Sequence, residues 1–432
     1  KIFTTIDSRM QRYAEEAVLQ HVGHYLQPAF SKENRTKPNA PFTNALTASE
    51  VKGILDRSIR QSERYRAMKE LGATDDEIQK AFRTPVEMSV FTYHGAVDTV
   101  MTPLDSIRYI KSFLRSGFVS MDPRNGAVKA YVGGVDFTHF TYDMATQGRR
   151  QVGSTIKPFL YALCMSNGMS PCDVAPNVQR SYGNWTPRNG SKARYGQMVT
   201  LKWGLAQSNN WISAYLMSRL NPQDFLRILN DFGINTYGAY PSMVLCLGPN
   251  EVSVCEMVSA YTTFANHGIH CYPMFVSKIE DNEGNVVATF QPRMNEVISE
   301  ESAYKMIEML RAVMNGGTGS RMRYKYNIEC DMGGKTGTTN RNADAWFMGF
   351  TPSLVSGCWV GGEDRDIHFD STRMGQGANM ALPVWAYFMK RVFADRSLGY
   401  DPNEKFDIPE EFNPCSSEFD DYTPGGIEEV FE

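Results

Sequence analysis

The chain has 432 residues, 42% of them hydrophobic, and a formal net charge of −4; that is enough for one large domain or two ordinary ones. No Lys/Arg cluster is dense enough to make a basic binding face, which sets nucleic acid aside, and eight cysteines without a CxxC pair or regular spacing argue against a zinc site. Lys1 opens the sequence without an initiator Met and no apolar run approaches the length of a membrane span, so the expectation is a piece of a longer protein whose missing part holds the anchor.

Thr4–Asp7 reads as a short extended segment, and Asp7 or Ser8 caps a helix with Met10, Tyr13, Ala14 and Ala17 at helical spacing. From about His24 to Thr47 the chain is polar and proline-bearing and reads as loop. Ser49 to Phe82 mixes charged and apolar residues in two or three helices, and Thr74-x-x-Glu77 fits a capping box. Phe118 to Gly134 predicts a hairpin that turns at Asn125-Gly126. Helices are predicted over Ser154–Ser166, Leu201–Leu220, Pro222–Phe232, Val252–Asn266 and Tyr304–Met314. Asn266-His267-Gly268 reads as a turn, which argues against a metal at His267, His270 and Cys271. Strands return at Met332–Thr338, Ala345–Phe350 and Leu354–Val360 as an antiparallel meander. If one sheet holds both hairpin and meander, helices must cover its faces. Ser416 to Glu432 reads as a flexible acidic tail.

Three short motifs carry the chemistry: Ser154-Thr155-Ile156-Lys157, Ser208-Asn209-Asn210 and Lys335-Thr336-Gly337. Each alone is cheap. Ser-x-x-Lys also occurs at Ser49–Lys52 and Ser302–Lys305, both of which look like helix starts where Ser is a favoured cap, and Arg115-Ser116-Gly117 is a decoy for the third motif. Only Ser154 stands first in the ordered set. Gly153 allows a tight turn, and Pro158 is tolerated only in the first turn of a helix, so the helix must begin near Ser154. Its hydroxyl then lies at the positive end of the helix dipole, with Lys157 one turn away on the same face. That lysine serves as a base only when neutral; burial and a second cation, Lys335, both lower its pKa. Gly337 lets the strand approach a ligand, Thr336 and Thr338 offer hydroxyls to a carboxylate, and an edge strand leaves N–H groups for an oxyanion.

The ordered triplet resembles the signature of penicillin-binding proteins and class A β-lactamases. Surrounding residues narrow the resemblance to the transpeptidase domain of class A, bifunctional penicillin-binding proteins. They are Thr4–Asp7 with Gln11 and Ala14-Glu15, Asp122-Pro123 with Gly126, Val132-Gly133-Gly134, and Arg150-Gln151-x-Gly153-Ser154. Ala260-Tyr261 with Phe264–Gly268, Gly316-Gly317-Thr318-Gly319, and Asp344-Ala345-Trp346-Phe347 complete the set. The resemblance covers most of Lys1 to about Met389 and is weakest between Gln27 and Val100. Val152 stands where the family has Pro, and Trp185-Thr186-Pro187-Arg188-Asn189 resembles Tyr-x-Pro-x-Asn with Trp for Tyr. Nothing resembles the family's upstream glycosyltransferase domain.

The resemblance implies an α+β fold: a five-stranded antiparallel sheet flanked by helices, with an all-helical subdomain. The expected division is residues 1–25 as the start of the transpeptidase domain, 26–100 as loop and helical insertion, 101–400 as the penicillin-binding core and 401–432 as the acidic tail. It also implies roles. Ser154 attacks the carbonyl between two terminal D-alanines of a peptidoglycan stem peptide, Lys157 takes its proton, and the backbone N–H groups of Ser154 and Thr338 hold the oxyanion. Ser208 relays a proton to the leaving D-alanine, Asn210 orients the donor, and Lys335, Thr336, Gly337, Thr338 and Thr339 form the carboxylate end of the site. A second stem peptide supplies the resolving amine, and β-lactams acylate Ser154 and stay. No cofactor or metal is implied. The expected location is the cell envelope, on the periplasmic or outer face of the membrane, with an anchor, a glycosyltransferase domain and envelope partner proteins beyond this chain.

Three alternatives share the first half-reaction. A class A β-lactamase needs a glutamate in Glu-x-x-x-Asn, and no such pattern occurs in the chain. A D,D-carboxypeptidase passes the acyl group to water, and motifs do not read the acceptor. A β-lactam sensor is acylated without turnover; the Thr4–Asp7 segment and Gly316–Gly319 argue against it.

Overall fold

The hairpin and the meander join in one sheet. In the computed structural model, which describes residues 1–415, five antiparallel strands run in the order Gly333–Thr338, Asp344–Phe350, Val355–Gly361, Arg115–Met121, Val128–Val132. Lys335 pairs with Met348, Gly337 with Trp346, and Val355 with Met121. The hairpin turns as predicted: the Asp122 carboxylate accepts the Arg124 N–H at 2.9 Å, and Gly126 adopts a φ of 75°.

Both faces of the sheet are covered, and the alternation of side chains shows by what. Gly349 backs onto Trp385, on the helix Leu382–Ala394, whereas Gly357, across from Met348, backs onto Val258 on Val254–Ala265. Residues 349 and 348 point to opposite faces, so the two helices lie on opposite sides. The helix Ser8–Val18, capped by Asp7 as predicted, joins the first layer, and Gln11 exchanges hydrogen bonds with the Tyr131 backbone. The helix Glu300–Gly316 joins the second layer. Trp346, Trp359 and Trp385 are fully buried between the layers; burying an aromatic-sized side chain contributes roughly 1.5–3 kcal/mol. Behind the second layer lies the helix Lys157–Ser166, whose Phe159 packs against Phe232, Tyr261 and Phe264.

Four expectations are corrected. The loop expected from His24 is helical as far as Asn34: a π-helical stretch, Leu19–Leu26, runs into Gln27–Asn34, and Phe30 is buried edge-on against Phe369. The widened turns just ahead of Pro28 accommodate its missing N–H. The single helix expected over Leu201–Leu220 is two, Leu201–Ala206 and Asn210–Met217, broken where Ser208 takes a φ of 53°. At the other two Ser-x-x-Lys matches the serines sit inside the first turn, and the caps are Thr47 and Ser299. Finally, residues 86–101 form an unexpected hairpin, Val86–Val90 with Val97–Met101. The capping box at Thr74 and Glu77 is present.

Six cysteines are free and buried, while Cys172 and Cys415 form a disulfide across 243 residues of sequence. The stretch expected to be a flexible tail, Ser416–Glu432, lies outside the described residues. Among the described residues no helix is long and apolar enough to cross a membrane.

Candidate active site

Ser154 stands in a short 3-10 turn, Gly153–Ile156, that feeds the α-helix beginning at Lys157. The expected helix start is therefore one turn of tighter helix, and Pro158 takes the first α-helical turn. The turn is fastened on several sides. The Val152 and Gly153 N–H groups donate to the carbonyls of Asn250 and Gly248 at 3.2 and 3.0 Å. The Tyr261 hydroxyl donates to the Thr155 carbonyl at 2.8 Å, and the Trp346 indole to Gln151 at 2.7 Å. Just ahead, Arg150 donates to Asp344 at 2.7 Å; that carboxylate is fully buried and also accepts from the Trp359 indole at 3.1 Å.

Lys157 is fully buried at the foot of this turn. Its Nζ donates to the Ser208 carbonyl and to Asn210 Oδ1, both at 2.6 Å, and lies 3.4 Å from Ser208 Oγ. Burial pushes its pKa down to about 7. A neutral amine has two N–H groups and one lone pair. The two short bonds use both N–H groups, which leaves the lone pair to accept a proton. Lys335, also fully buried, donates to Ser208 Oγ at 2.8 Å and to the Thr336 carbonyl at 3.0 Å. Its pKa lies well below the usual range, first because of burial and second because of Lys157. Burial is the first cause at both lysines, and repulsion between two amines that meet at one hydroxyl is mutual, so each disfavours the charged form of the other.

The left-handed backbone at Ser208 delivers its hydroxyl between the two lysines. A non-glycine residue held at positive φ costs of order 1–3 kcal/mol and persists only where the surroundings over-determine it. Those surroundings are visible. Asn209 caps the next helix, accepting from the Trp211 and Ile212 N–H groups, and donates to Asn177 at 2.8 Å. Asn210 receives Asn189 Oδ1 on its N–H at 2.9 Å and donates its own amide to the Arg188 carbonyl at 2.7 Å.

The strand Gly333–Thr338 forms the free edge of the sheet. Thr339 N–H points inward, donating to Asp344 at 3.0 Å. Alternation therefore turns the N–H of Thr338 outward, away from the sheet and toward the Ser154 turn. That turn is close: a Cβ on Gly337 would stand 2.8 Å from the Val152 carbonyl and 2.9 Å from Thr155 Cγ2, and one on Gly153 would stand 3.0 Å from the Thr338 carbonyl. Gly337 thus makes room for the nucleophile turn. The Ser154 N–H, near the start of the turn, has no partner within the helix. With the Thr338 N–H it can face one oxyanion.

Lys157, Ser208, Asn210 and Lys335 are thus joined by hydrogen bonds, and the Thr338 end of the edge strand lies against the Ser154 turn, while the Thr336 hydroxyl meets Thr318 and the Thr338 hydroxyl accepts from the Gly377 N–H at 3.0 Å. Thr339 is turned away, its hydroxyl donating to Asp344 at 3.1 Å. Among the described residues the Ser154 hydroxyl makes no hydrogen bond; active-site bonds of this kind are often completed only with substrate. Asn177, Arg150 and Asp344 were not singled out for the site by the motifs, although buried polar side chains need partners and Asp344 opens a strand.

Residues 116–356 match the family described as penicillin binding protein transpeptidase domain, and residues 37–114 match the penicillin-binding protein middle domain. Penicillin-binding protein 1A of Aquifex aeolicus is 34% identical over 329 residues, 74% of this chain and 43% of that protein. The protein of the same name from Neisseria meningitidis serogroup A is 33% identical over 64% of this chain and 36% of its own length. The chain therefore spans less than half the length of these two relatives. The crystal structure of penicillin-binding protein 1A from Haemophilus influenzae superposes with a TM-score of 0.69 at 24% identity, covering 95% of this chain and 68% of that one. PonA1 of Mycobacterium tuberculosis in complex with penicillin V superposes with a TM-score of 0.61 at 22% identity, covering 85% and 98%. These likenesses establish the fold.

Proposed function

The chain belongs to the penicillin-binding protein transpeptidase family, and on that premise we propose that it is a serine D,D-transpeptidase that cross-links peptidoglycan stem peptides through an acyl-enzyme on Ser154. The observation that carries this reading is the convergence of Lys157 and Lys335, both fully buried, on the hydroxyl of Ser208 beside the Ser154 turn.

The donor peptide lies along the edge strand as an added strand. Its terminal carboxylate meets Thr336, Thr338 and Lys335. The Ser154 hydroxyl attacks the carbonyl between the last two D-alanines, and its proton passes to the lone pair of Lys157. The N–H groups of Ser154 and Thr338 hold the oxyanion. As the tetrahedral intermediate collapses, the C–N bond breaks and the leaving D-alanine nitrogen takes a proton from Ser208, which Lys157 and Lys335 both reach. The amine of a second stem peptide then attacks the ester, and the proton path runs in reverse. A β-lactam follows the same first half and remains attached to Ser154. Asn210 orients the donor through its second amide hydrogen, the first being held by the Arg188 carbonyl.

The reaction site implied is the outer face of the cytoplasmic membrane, where the substrate is found. The test is a defined donor pentapeptide with an acceptor stem peptide. Cross-linked dimer as the main product supports the transpeptidase reading; free D-alanine with trimmed donor and no dimer indicates a carboxypeptidase. Rapid loss of a bound penicillin indicates a β-lactamase.

A further inference from the structure

The hydroxyls of Thr318 and Thr336 lie 2.7 Å apart. Thr336 is buried, and among the described residues Thr318 is its hydroxyl's only hydrogen-bond partner. Thr318 belongs to Gly316-Gly317-Thr318-Gly319, where the helix Glu300–Gly316 ends. That segment is clamped to the other wall of the cleft. The Thr318 N–H donates to the Ala206 carbonyl at 3.0 Å, and a Cβ on Gly317 would stand 2.2 Å from the same oxygen. The Gly319 N–H donates to Val313 at 3.0 Å, and Gln207 donates to Gly316 at 3.1 Å. Ala206 is two residues ahead of Ser208. Thr318 therefore stands where the element carrying Ser208 meets the strand carrying Thr336.

A threonine hydroxyl has one proton and two lone pairs. Free to rotate, Thr336 can spend its proton on Thr318 and present only lone pairs to the cleft, which would repel a carboxylate. If Thr318 donates to Thr336 instead, the Thr336 proton must point elsewhere, and among the described residues no other acceptor holds it, which leaves it for a ligand's carboxylate. We infer that Thr318 is a positioning residue that sets the Thr336 hydroxyl as a donor to the substrate's terminal carboxylate. This inference rests on the transpeptidase reading above, in which Thr336 meets that carboxylate. It assigns Thr318 a part in selecting ligands with a free carboxylate, not in the chemistry at Ser154.

The test compares acylation by a penicillin with acylation by its methyl ester, in wild type, Thr318→Val and Thr318→Ser. Valine keeps the shape and removes the hydroxyl, and serine keeps the hydroxyl. The expected result is a drop of about tenfold in the second-order acylation constant of Thr318→Val for the acid, the effect of one lost hydrogen bond to a charged group, and less than about twofold for the ester. Thr318→Ser should stay within about threefold of wild type with both ligands. Thr318→Ala is tested alongside, and whichever hydroxyl-free variant melts like wild type is used. The inference is overturned if the hydroxyl-free variant behaves like wild type, loses acid and ester equally, fails to fold in both forms, or is matched by the serine variant. A wild type that takes up neither ligand instead contradicts the transpeptidase reading, and the role of Thr318 falls with it.

Discussion

Lys335 donates to the Ser208 hydroxyl at 2.8 Å from a fully buried position. Among the described residues no carboxylate pairs with a cation there, and the second lysine, Lys157, approaches the same oxygen. The pair is costly to charge, and that cost is what makes Lys157 available as a base.

The pH dependence follows. With its pKa pushed down to about 7, Lys157 is protonated below that value and neutral above it. Acylation by penicillin should rise as pH increases through about 7 and level off above it. Lys157→Arg, a permanent cation, should lower the rate by a factor of at least about 100, the scale of a lost general base. Stopped-flow fluorescence with a labelled penicillin measures both.

The same shift has a sign for stability. In the unfolded chain Lys157 keeps the ordinary value of 10.5, so between about pH 7 and 10.5 the unfolded state binds more protons than the folded one. Stability contributed through Lys157 therefore rises with pH in that window, by up to about 1.4 kcal/mol per unit. Relative to wild type, Lys157→Met should lose ground by about that slope between pH 7.5 and 9.5. Urea denaturation at several pH values checks it.

Gly337→Ala places a methyl group against the Val152 carbonyl and Thr155, both parts of the turn that carries Ser154. Backbone has little room to give, and overpacking of this kind costs about 1–3 kcal/mol. Acylation should fall at least about fivefold, since about one kcal/mol or more of misplacement falls directly on the reacting hydroxyl. Gly190→Ala meets nothing within 4 Å and should leave acylation unchanged.

Asp344 is the buried partner of Arg150, four residues ahead of Ser154. Removing it by Asp344→Ala leaves the Arg150 guanidinium without its closest counter-charge. Breaking a buried pair from one side costs about 3–5 kcal/mol, which a thermal melt should show as a clear fall in Tm.

The Cys172–Cys415 disulfide ties residue 415 to the segment whose carbonyls, at Pro171 and Asp173, receive the first N–H groups of the helix Leu201–Ala206. Removing a native disulfide from a small domain typically costs about 2–5 kcal/mol. Cys172→Ser should lower stability in that direction and expose residues 400–415 to proteolysis. A cross-linked peptide containing both cysteines, seen only without reductant, checks the bond itself.

Much of this was legible in the sequence because it is local. The Asn125-Gly126 turn, the Asp7 cap and the Thr74 capping box each depend on a few adjacent residues. Pro158 limited where the nucleophile helix begins. The break at Ser208 was not legible: Leu201–Leu220 keeps a helical pattern, and the left-handed backbone is imposed by Asn177, Asn189 and two lysines distant in sequence. The fit of Gly337 against the nucleophile turn was not legible for the same reason, since the atoms that exclude its side chain belong to Val152 and Thr155. The loop expected at residues 27–34 is helical because of Phe30 against Phe369, a contact that periodicity over a short, mostly polar stretch does not reveal. Cys172 and Cys415 are 243 residues apart, and nothing in their spacing pairs them.

The central claim is that Ser154 carries the acyl group. The most direct measurement is the intact mass of the chain after brief exposure to a penicillin, followed by peptide mapping of the adduct. One equivalent should be found on Ser154 in wild type, none in Ser154→Ala, and one each in Ser49→Ala and Ser302→Ala. An adduct that survives in Ser154→Ala, or that maps to Ser49, Ser208 or Ser302, contradicts the account.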